Sequence, residues 1–473
     1  MFHAIPASDA PLRRPEWPAR LGLLLRRHRG AILGLQWTVV VIYTVLVGAP
    51  AFLPLPPESA TILSDLTRFA QFAFWGIWWP FVILSIMALG RVWCGLLCPE
   101  GALTEWVSRH GLGRGIPRWM KWAGWPFVAF VCTTVFGQMV SVYEYPKPAL
   151  LILGGSTVAA VAVGLAYGRD KRVWCRHLCP VSGVFALLAK VAPVHFRVDL
   201  DRWDAALPGE RSSATHLVNC APLIDIRRMD SASSCHMCGR CAGHRGAVTL
   251  ALRAPGAEVL ALPSASRFAA VAQARERWLA RLLVWGLLGV ALGAFQWTAS
   301  PWFVSLKQAA AEWLVEREIF WPLERPGHWW LLTHYPEAND MFTWLDGGAL
   351  LAYIGAVTLT IGGWIRGWIA LAAHSLAMQP WRPTLALVPL GGFSAFVGLS
   401  LLTTTQLAAE RIVVPGANLA RMVLLALAAA WSTWLVWRMG AGTTQGRRIG
   451  AVACTAVAAA APLGAWYLQF FVW

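Results

Sequence analysis

Charged side chains are scarce in this sequence. Only 14% of its 473 residues are charged, and Asp and Glu together number 24, whereas about 25% of the residues in a typical soluble domain are charged. Hydrophobic residues make up 57% of the chain. The 29 Trp and 42 Gly fit membrane proteins, which use Trp at interfaces and tolerate Gly in spanning helices. The composition excludes an ordinary soluble domain and predicts an all-α integral membrane protein.

The acidic residues are also too few to balance the 40 Lys and Arg, so the formal net charge is +16. In a soluble chain such a charge would suggest a nucleic-acid partner. Here the basic residues lie in the loops between apolar runs, which is the pattern of membrane proteins whose positive loops stay in the cytoplasm. We therefore expect no nucleic-acid partner.

Long apolar runs predict about nine transmembrane helices. The first follows a basic segment, residues 1–30, and exceeds the roughly 7–15 apolar residues of a cleaved signal peptide. We therefore expect a retained helix with its N-terminus in the cytoplasm. The predicted spans are about 31–53, 68–90, 122–142, 149–167, 278–298, 347–371, 384–407, 418–438 and 449–471.

Most of the chain lacks cysteine, and eight of the ten cysteines fall into two groups. The first group belongs to a duplicated phrase, RVWCGLLCPEG at 91–101 and RVWCRHLCPVSG at 172–183, which contains Cys94, Cys98, Cys175 and Cys179. Each copy follows a helix that returns to the cytoplasm, so both copies are expected on one membrane face. Residues 31–183 thus form an internal repeat of two helices and a motif, with a pseudo-twofold axis along the membrane normal.

The second group lies in residues 184–275, where charged residues return and no run is long enough to span. This segment is predicted to be a small cytoplasmic, ferredoxin-like insert, with a short hairpin in residues 246–262. It contains Cys220, Cys235, Cys238 and Cys241. Residues 276–473 would form a C-terminal domain of five helices, with an outer, partly amphipathic segment at 301–346.

Thiolates are soft ligands, and grouped cysteines on a cytoplasmic face favour iron–sulfur clusters or zinc over disulfides. The spacing of Cys235, Cys238 and Cys241 is that of a loop around a [4Fe–4S] cluster. A bacterial ferredoxin loop would place a fourth cysteine where Arg245 stands, so a fourth ligand must come from elsewhere, and Cys220 is the candidate.

Two sets of four cysteines then predict two [4Fe–4S] clusters. Three alternatives stay open: Cys179 or Cys220 could be exchanged between the sets, His236 or His244 could replace Cys220, and four cysteines could instead bind zinc.

The doubled W-C-x3-C-P motif after paired helices, followed by a cytoplasmic ferredoxin-like segment, resembles the NapH/NosR-type, polyferredoxin-like membrane iron–sulfur proteins over about residues 31–250. The resemblance implies [4Fe–4S] clusters bound at the cytoplasmic face of the bacterial inner membrane by Cys94, Cys98, Cys175 and Cys179 and by Cys235, Cys238 and Cys241. It departs from the family in the missing Cys-Pro ending of the second cysteine loop.

The resemblance also implies electron transfer between the quinone pool and a soluble carrier such as ferredoxin, as a component of a quinone/ferredoxin oxidoreductase system. Quinone is then a candidate ligand, haem is not expected, and other membrane subunits are candidate partners. The alternative is a redox-active assembly or regulatory protein that supports maturation of a partner oxidoreductase.

Overall fold

The structure, a computed structural model, describes residues 16–205, 218–229, 231–261 and 269–473. The first half of the predicted basic N-terminus therefore lies outside the described residues. In chain order the helices are α1 (Trp17–Arg27), α2 (Arg29–Phe52), α3 (Leu66–Leu89), α4 (Pro99–Ser108), α5 (Trp125–Met139), α6 (Pro146–Tyr167), α7 (Val173–His177), α8 (Ser182–Val191), α9 (Leu200–Ala205), α10 (Ala257–Leu260), α11 (Val271–Gln296), α12 (Pro301–Glu316), α13 (Trp344–Ser375), α14 (Trp381–Ala409), α15 (Ala417–Met439) and α16 (Gln445–Val472).

Within the described residues, eight helices are long and apolar enough to cross a membrane: α2, α3, α6, α11, α13, α14, α15 and α16. The predicted class, an all-α multi-pass membrane protein, is confirmed. The predicted number of spanning helices was nine. The span expected at 122–142 contains only α5, a helix of 15 residues, which is too short to be counted among the eight. A helix of this length extends about 22 Å, less than a hydrocarbon core of about 30 Å. It ends early because the chain turns at Ser141, whose φ is 52°.

The two motifs lie on one side of the membrane-spanning body, here called the motif side. Gly90 ends α3 with a φ of 70°, and the first motif follows at once. The proline after the second cysteine, Pro99, then begins α4, where its missing N–H costs no helix hydrogen bond. After the second motif the chain enters α8, which is buried along its whole length.

The centre of the body is formed by α11 and α14. In the most apolar stretch of each helix, 78% of the residues of α11 and 72% of those of α14 are buried, whereas 17% are buried in α6. Helix α6 is therefore peripheral, and α11 is central. The buried side chains of α3, α8, α11 and α14 belong to one continuous hydrophobic core. The C-terminal helices are therefore packed onto the repeat rather than forming a separate core.

The insert between α8 and α11 contains an antiparallel pair of strands, β1 (Val194–Val198) and β2 (Val248–Leu252). The predicted hairpin within 246–262 is therefore wrong: β2 pairs with a strand about fifty residues upstream, and α10 follows it. Helix α1 covers the insert from the N-terminal side, where Gly22 lies so close to β2 that a Cβ would be 3.0 Å from the Cβ of Leu250.

A buried ion network fixes the insert to the membrane-spanning body. Lys190 at the end of α8 is 3% exposed and contacts Glu258 of α10 at 3.3 Å and Glu276 of α11 at 2.9 Å. Arg253 contacts the same Glu258 at 2.8 Å. Because breaking one buried charge pair leaves the other charge uncompensated, at a cost of about 3–5 kcal/mol, this network holds three elements in one arrangement.

The predicted outer segment at 301–346 begins with α12, which exposes Trp302, Val304 and Trp313. It ends with a short two-stranded pair, β3 (His334–Tyr335) and β4 (Asp340–Met341). The exposed tryptophans are consistent with an interfacial helix.

Candidate iron–sulfur site

The first motif forms an irregular turn, Trp93–Leu97, between α3 and α4. The amide of Cys98 donates to the carbonyl of Trp93 at 2.9 Å, and the Cys98 Sγ accepts the Gly101 amide at 3.4 Å. In the second motif the amide of Cys179 donates to the carbonyl of Trp174 at 3.0 Å. The same bond thus closes both copies and presents their cysteines in the same way.

The structure brings the four thiols of the two motifs together. Burial raises the pKa of Cys98, and the neighbouring thiols of Cys175 and Cys94 raise it further. Burial also raises the pKa of Cys179, with Glu100 and then Cys175, Cys98 and Cys94 adding to the effect. Each motif therefore supplies two thiols to one neighbourhood, here called the motif thiols, in which Cys98 is half-buried and the other three are buried.

The other four cysteines form a second group, here called the insert thiols. Burial raises the pKa of Cys241 to about 12, and Cys238 and Cys220 contribute to the shift. Burial, then Cys241 and Cys238, raise the pKa of Cys235, whose Sγ accepts the Met237 amide at 3.3 Å. The loop can turn this tightly because Met237 and Gly239 have φ values of 57° and 72°.

Cys220 reaches this group through the second motif. The amide of Arg172 donates to the carbonyl of Ala221 at 2.8 Å, and the Lys171 ammonium donates to the carbonyl of Cys220 at 3.1 Å. These bonds hold the Cys220 segment beside the second motif, and the Cys238 thiol is near enough to raise the pKa of Cys220 after burial has raised it; the role of Cys220 as a ligand stays a prediction.

The two histidines of the insert have different surroundings. His236 is 2% exposed, and burial followed by Arg91 and Arg172 lowers its pKa far below the usual range. His244 packs against Trp203, with ring centroids 5.2 Å apart.

The two thiol groups meet at Gly95, the residue after Cys94. A Cβ at this position would overlap the carbonyl oxygen of His236 and lie 2.9 Å from the amide nitrogen of Cys238. Only glycine allows this approach. The first motif therefore lies directly against the loop that carries the insert thiols.

Arg172 lies between the two groups. It is 2% exposed and donates to the carbonyl of Cys94. Burial alone would lower its pKa, but Glu105 and then the thiols of Cys175 and Cys238 raise it. One guanidinium is thus close to a motif thiol and to an insert thiol.

Glu105 of α4 joins this guanidinium to the cysteine loop. Its Oε2 accepts from Arg172 Nε at 2.7 Å, and its Oε1 accepts from Arg240, which stands between Cys238 and Cys241. Burial would raise the pKa of Glu105, but the two guanidiniums outweigh it and lower the pKa. The Glu105 carboxylate therefore stays ionised and joins the guanidinium of Arg172 to that of Arg240.

Sequence reasoning missed Gly95, Arg172 and Glu105. The sequence did contain a signal for Arg172, because both copies of the phrase begin with Arg three residues before the first cysteine. Arg91, the corresponding arginine of the first copy, is also buried and donates to the Ser233 carbonyl at 3.1 Å and the Ser182 hydroxyl at 2.9 Å. No signal marked Gly95, since the second copy has Arg176 there.

The donor chemistry fits iron–sulfur clusters. Thiolates are the usual cluster ligands, and both groups, which are buried or half-buried, lie beside guanidiniums that can offset the negative charge of a thiolate-bound cluster. Among the described residues, no three His, Cys, Asp or Glu side chains converge closely enough to hold a single metal ion.

Comparison with known proteins supports the same cofactor. A 4Fe-4S binding domain family matches residues 71–119 and 151–199, so each match contains one CxxxCP motif. The protein named "Putative electron transport protein YccM" from Escherichia coli (strain K12) is 23% identical over 242 residues. That alignment covers 45% of this chain and 62% of the relative, so the chain spans less than two thirds of the protein it matches. No solved structure matches the chain.

The chain is therefore an all-α membrane protein with two segments that match a 4Fe-4S binding domain. The matches favour an iron–sulfur cluster over the zinc alternative. They carry no information on the NapH/NosR type.

Proposed function

We propose that the protein is a membrane-bound iron–sulfur electron carrier with two [4Fe–4S] clusters, one held by the motif thiols and one by the insert thiols. The proposal also follows the name of the YccM relative, which describes electron transport. The observation that carries it is the contact at Gly95, where the backbone of the first motif lies against Cys238. Two sites so close together suit the transfer of electrons between them.

The clusters would supply one-electron chemistry, and the chain supplies their surroundings. Burial of Cys94, Cys175, Cys179 and Cys235 limits the access of water. Arg172, Arg91 and the bridging Glu105 set the local charge, which is one of the means by which a protein tunes a cluster potential.

The proposed partners are the quinone pool in the membrane and a soluble carrier such as ferredoxin on the motif side. We place this side in the cytoplasm of a bacterial inner membrane. The loop after the first motif contains Arg109, Arg114, Arg118 and Lys121, whereas the loop between α2 and α3 has no Lys or Arg; basic loops stay in the cytoplasm.

Iron and sulfide analysis of the purified protein, with EPR of the dithionite-reduced form, tests the proposal. We expect about eight iron atoms per chain, the sum for two four-iron clusters. Cys98→Ser and Cys235→Ser should each remove one cluster signal and leave the other. A protein without iron, or one in which both variants remove the same signal, would refute the two-cluster assignment.

A further inference from the structure

A cavity of about 330 Å³ lies on the motif side where α2, α4 and the loop of the insert thiols meet. Its wall includes Cys238, which is one of the insert thiols, and the backbone of Gly95, which follows the motif thiol Cys94. The size is within the range of small-molecule sites, which begins at about 300 Å³.

One part of the wall is aromatic and apolar. Trp37 of α2 and Trp106 of α4 line it, and their rings meet edge to face with centroids 5.6 Å apart. Leu33, also in the wall, is 41% exposed, and Trp106 is 46% exposed. Leu33 lies near the start of α2, which is long and apolar enough to span, so the exposed apolar side of the cavity lies at the motif-side end of a candidate membrane helix, where a lipid-soluble ligand would enter.

The other part of the wall is polar and buried. Gln36 is 6% exposed and its amide donates to the Gly95 carbonyl at 2.8 Å. Glu105, 7% exposed, is held ionised between Arg172 and Arg240. Hydrogen-bonding groups therefore lie at the inner end, beside Cys238, and aromatic surfaces lie at the lipid end.

We propose that this cavity binds the ring of an isoprenoid quinone, with the tail leaving between Leu33 and Trp106 into the bilayer. The inference rests on the proposed function, which requires a membrane-soluble redox partner, and it gives that partner a site. A planar ring packs against the two tryptophans, and the N–H groups of Gln36 and Arg240, which line the inner end, are donors for its carbonyl oxygens. An anionic phospholipid is the competing occupant, because Arg29 and Arg109 also line the cavity.

Two glycines of α2 provide a matched pair of variants. Gly30 lines the cavity, whereas Gly34, one turn further along the same helix, does not. A Cβ at either position meets nothing within 4 Å. Gly30→Phe should fill the cavity without disturbing the fold, and Gly34→Phe is its control.

The measurement is photolabelling of the full-length protein in nanodiscs with an azidoquinone, competed with decylubiquinone and mapped by mass spectrometry. Labels are expected in residues 29–37 and 102–109. Gly30→Phe should weaken the apparent affinity about tenfold or more, a change of about 1.4 kcal/mol, while Gly34→Phe leaves it unchanged.

The outcome separates this inference from the proposed function. Iron content and EPR signals of both variants should match those of the unmodified protein. If the clusters are present but Gly30→Phe and Gly34→Phe label alike, the quinone site is wrong and the carrier proposal stands. Loss of a bound phospholipid from Gly30→Phe in native mass spectra, without quinone labelling of the unmodified protein, would assign the cavity to lipid and refute the inference. Absence of iron from the unmodified protein would instead refute the proposed function.

Discussion

Replacement of Gly95 by alanine tests the contact between the motif thiols and the insert thiols. The new Cβ would overlap the carbonyl oxygen of His236 and lie 3.1 Å from the Cα of Cys238. Carbon atoms pack at about 3.5–4.0 Å, so the Cys238 backbone must retreat by roughly half an ångström, and the His236 carbonyl must move as well. Neither atom is the end of a flexible side chain. The insert loop must therefore shift away from the first motif.

We expect this shift to cost about 1–3 kcal/mol, the usual range for overpacking a well-packed site. Because Gly95 is not a cluster ligand in the proposal, the iron content should stay close to that of the unmodified protein. The magnetic interaction between the two reduced clusters should weaken, and the EPR lines it broadens should sharpen. The insert should also become more sensitive to limited proteolysis.

Gly115→Ala is the matched control, since a Cβ there meets nothing within 4 Å. It should leave the EPR line shape, the melting temperature and the proteolysis rate unchanged. If Gly95→Ala behaves like this control in all three measurements, the close approach of the two thiol groups is wrong, and with it the observation on which the carrier proposal depends.

Three further predictions follow from the same contacts. Glu105→Gln removes the charge that bridges Arg172 and Arg240, and an excess of positive charge beside the clusters should raise their potentials in a redox titration; an unchanged pair of potentials would contradict this. Cys220→Ala should lose the insert-cluster EPR signal and about four iron atoms, whereas Cys132→Ala, at an exposed position of α5, should lose none. The pKa of Glu258 is about 2, because Lys190 and Arg253 outweigh the opposing effect of burial. By linkage, the lowered pKa stabilises the folded state by about 3 kcal/mol. This stabilisation should be present above about pH 4.3 and be lost as the pH falls towards 2. Glu258→Gln should therefore lower the melting temperature at pH 7 and change it little near pH 2, whereas Glu16→Gln, in an exposed pair, should have little effect at either pH.

The spanning helices could be predicted from sequence because their signal is local. A run of about 20 apolar residues has few alternatives to a transmembrane helix. Helix α5 is shorter than the predicted span at both ends. Its C-terminal end depends on where the chain turns at Ser141, and a positive φ at a serine has no local sequence signal.

The grouping of the thiols was also predictable, since the repeat and the count of four pointed to it. The residues that contact those thiol groups could not be predicted from the sequence. The approach of Gly95 to Cys238 joins positions more than 140 residues apart, and the pairing of β1 with β2 spans about fifty residues. Such contacts are set by how the elements pack, and the alternation of residues 246–262 marked a strand without marking its partner.

The contacts of the insert explain why the two copies of the motif differ. The first copy lies against the insert's cysteine loop, and glycine at position 95 is required there. The corresponding residue of the second copy, Arg176, is under no such constraint, because that copy contacts the Cys220 segment through the backbone of Arg172 and the side chain of Lys171. One copy thus positions three of the insert thiols and the other positions the fourth. In the proposal the second cluster site therefore takes its ligands from two segments, one in contact with each copy of the motif.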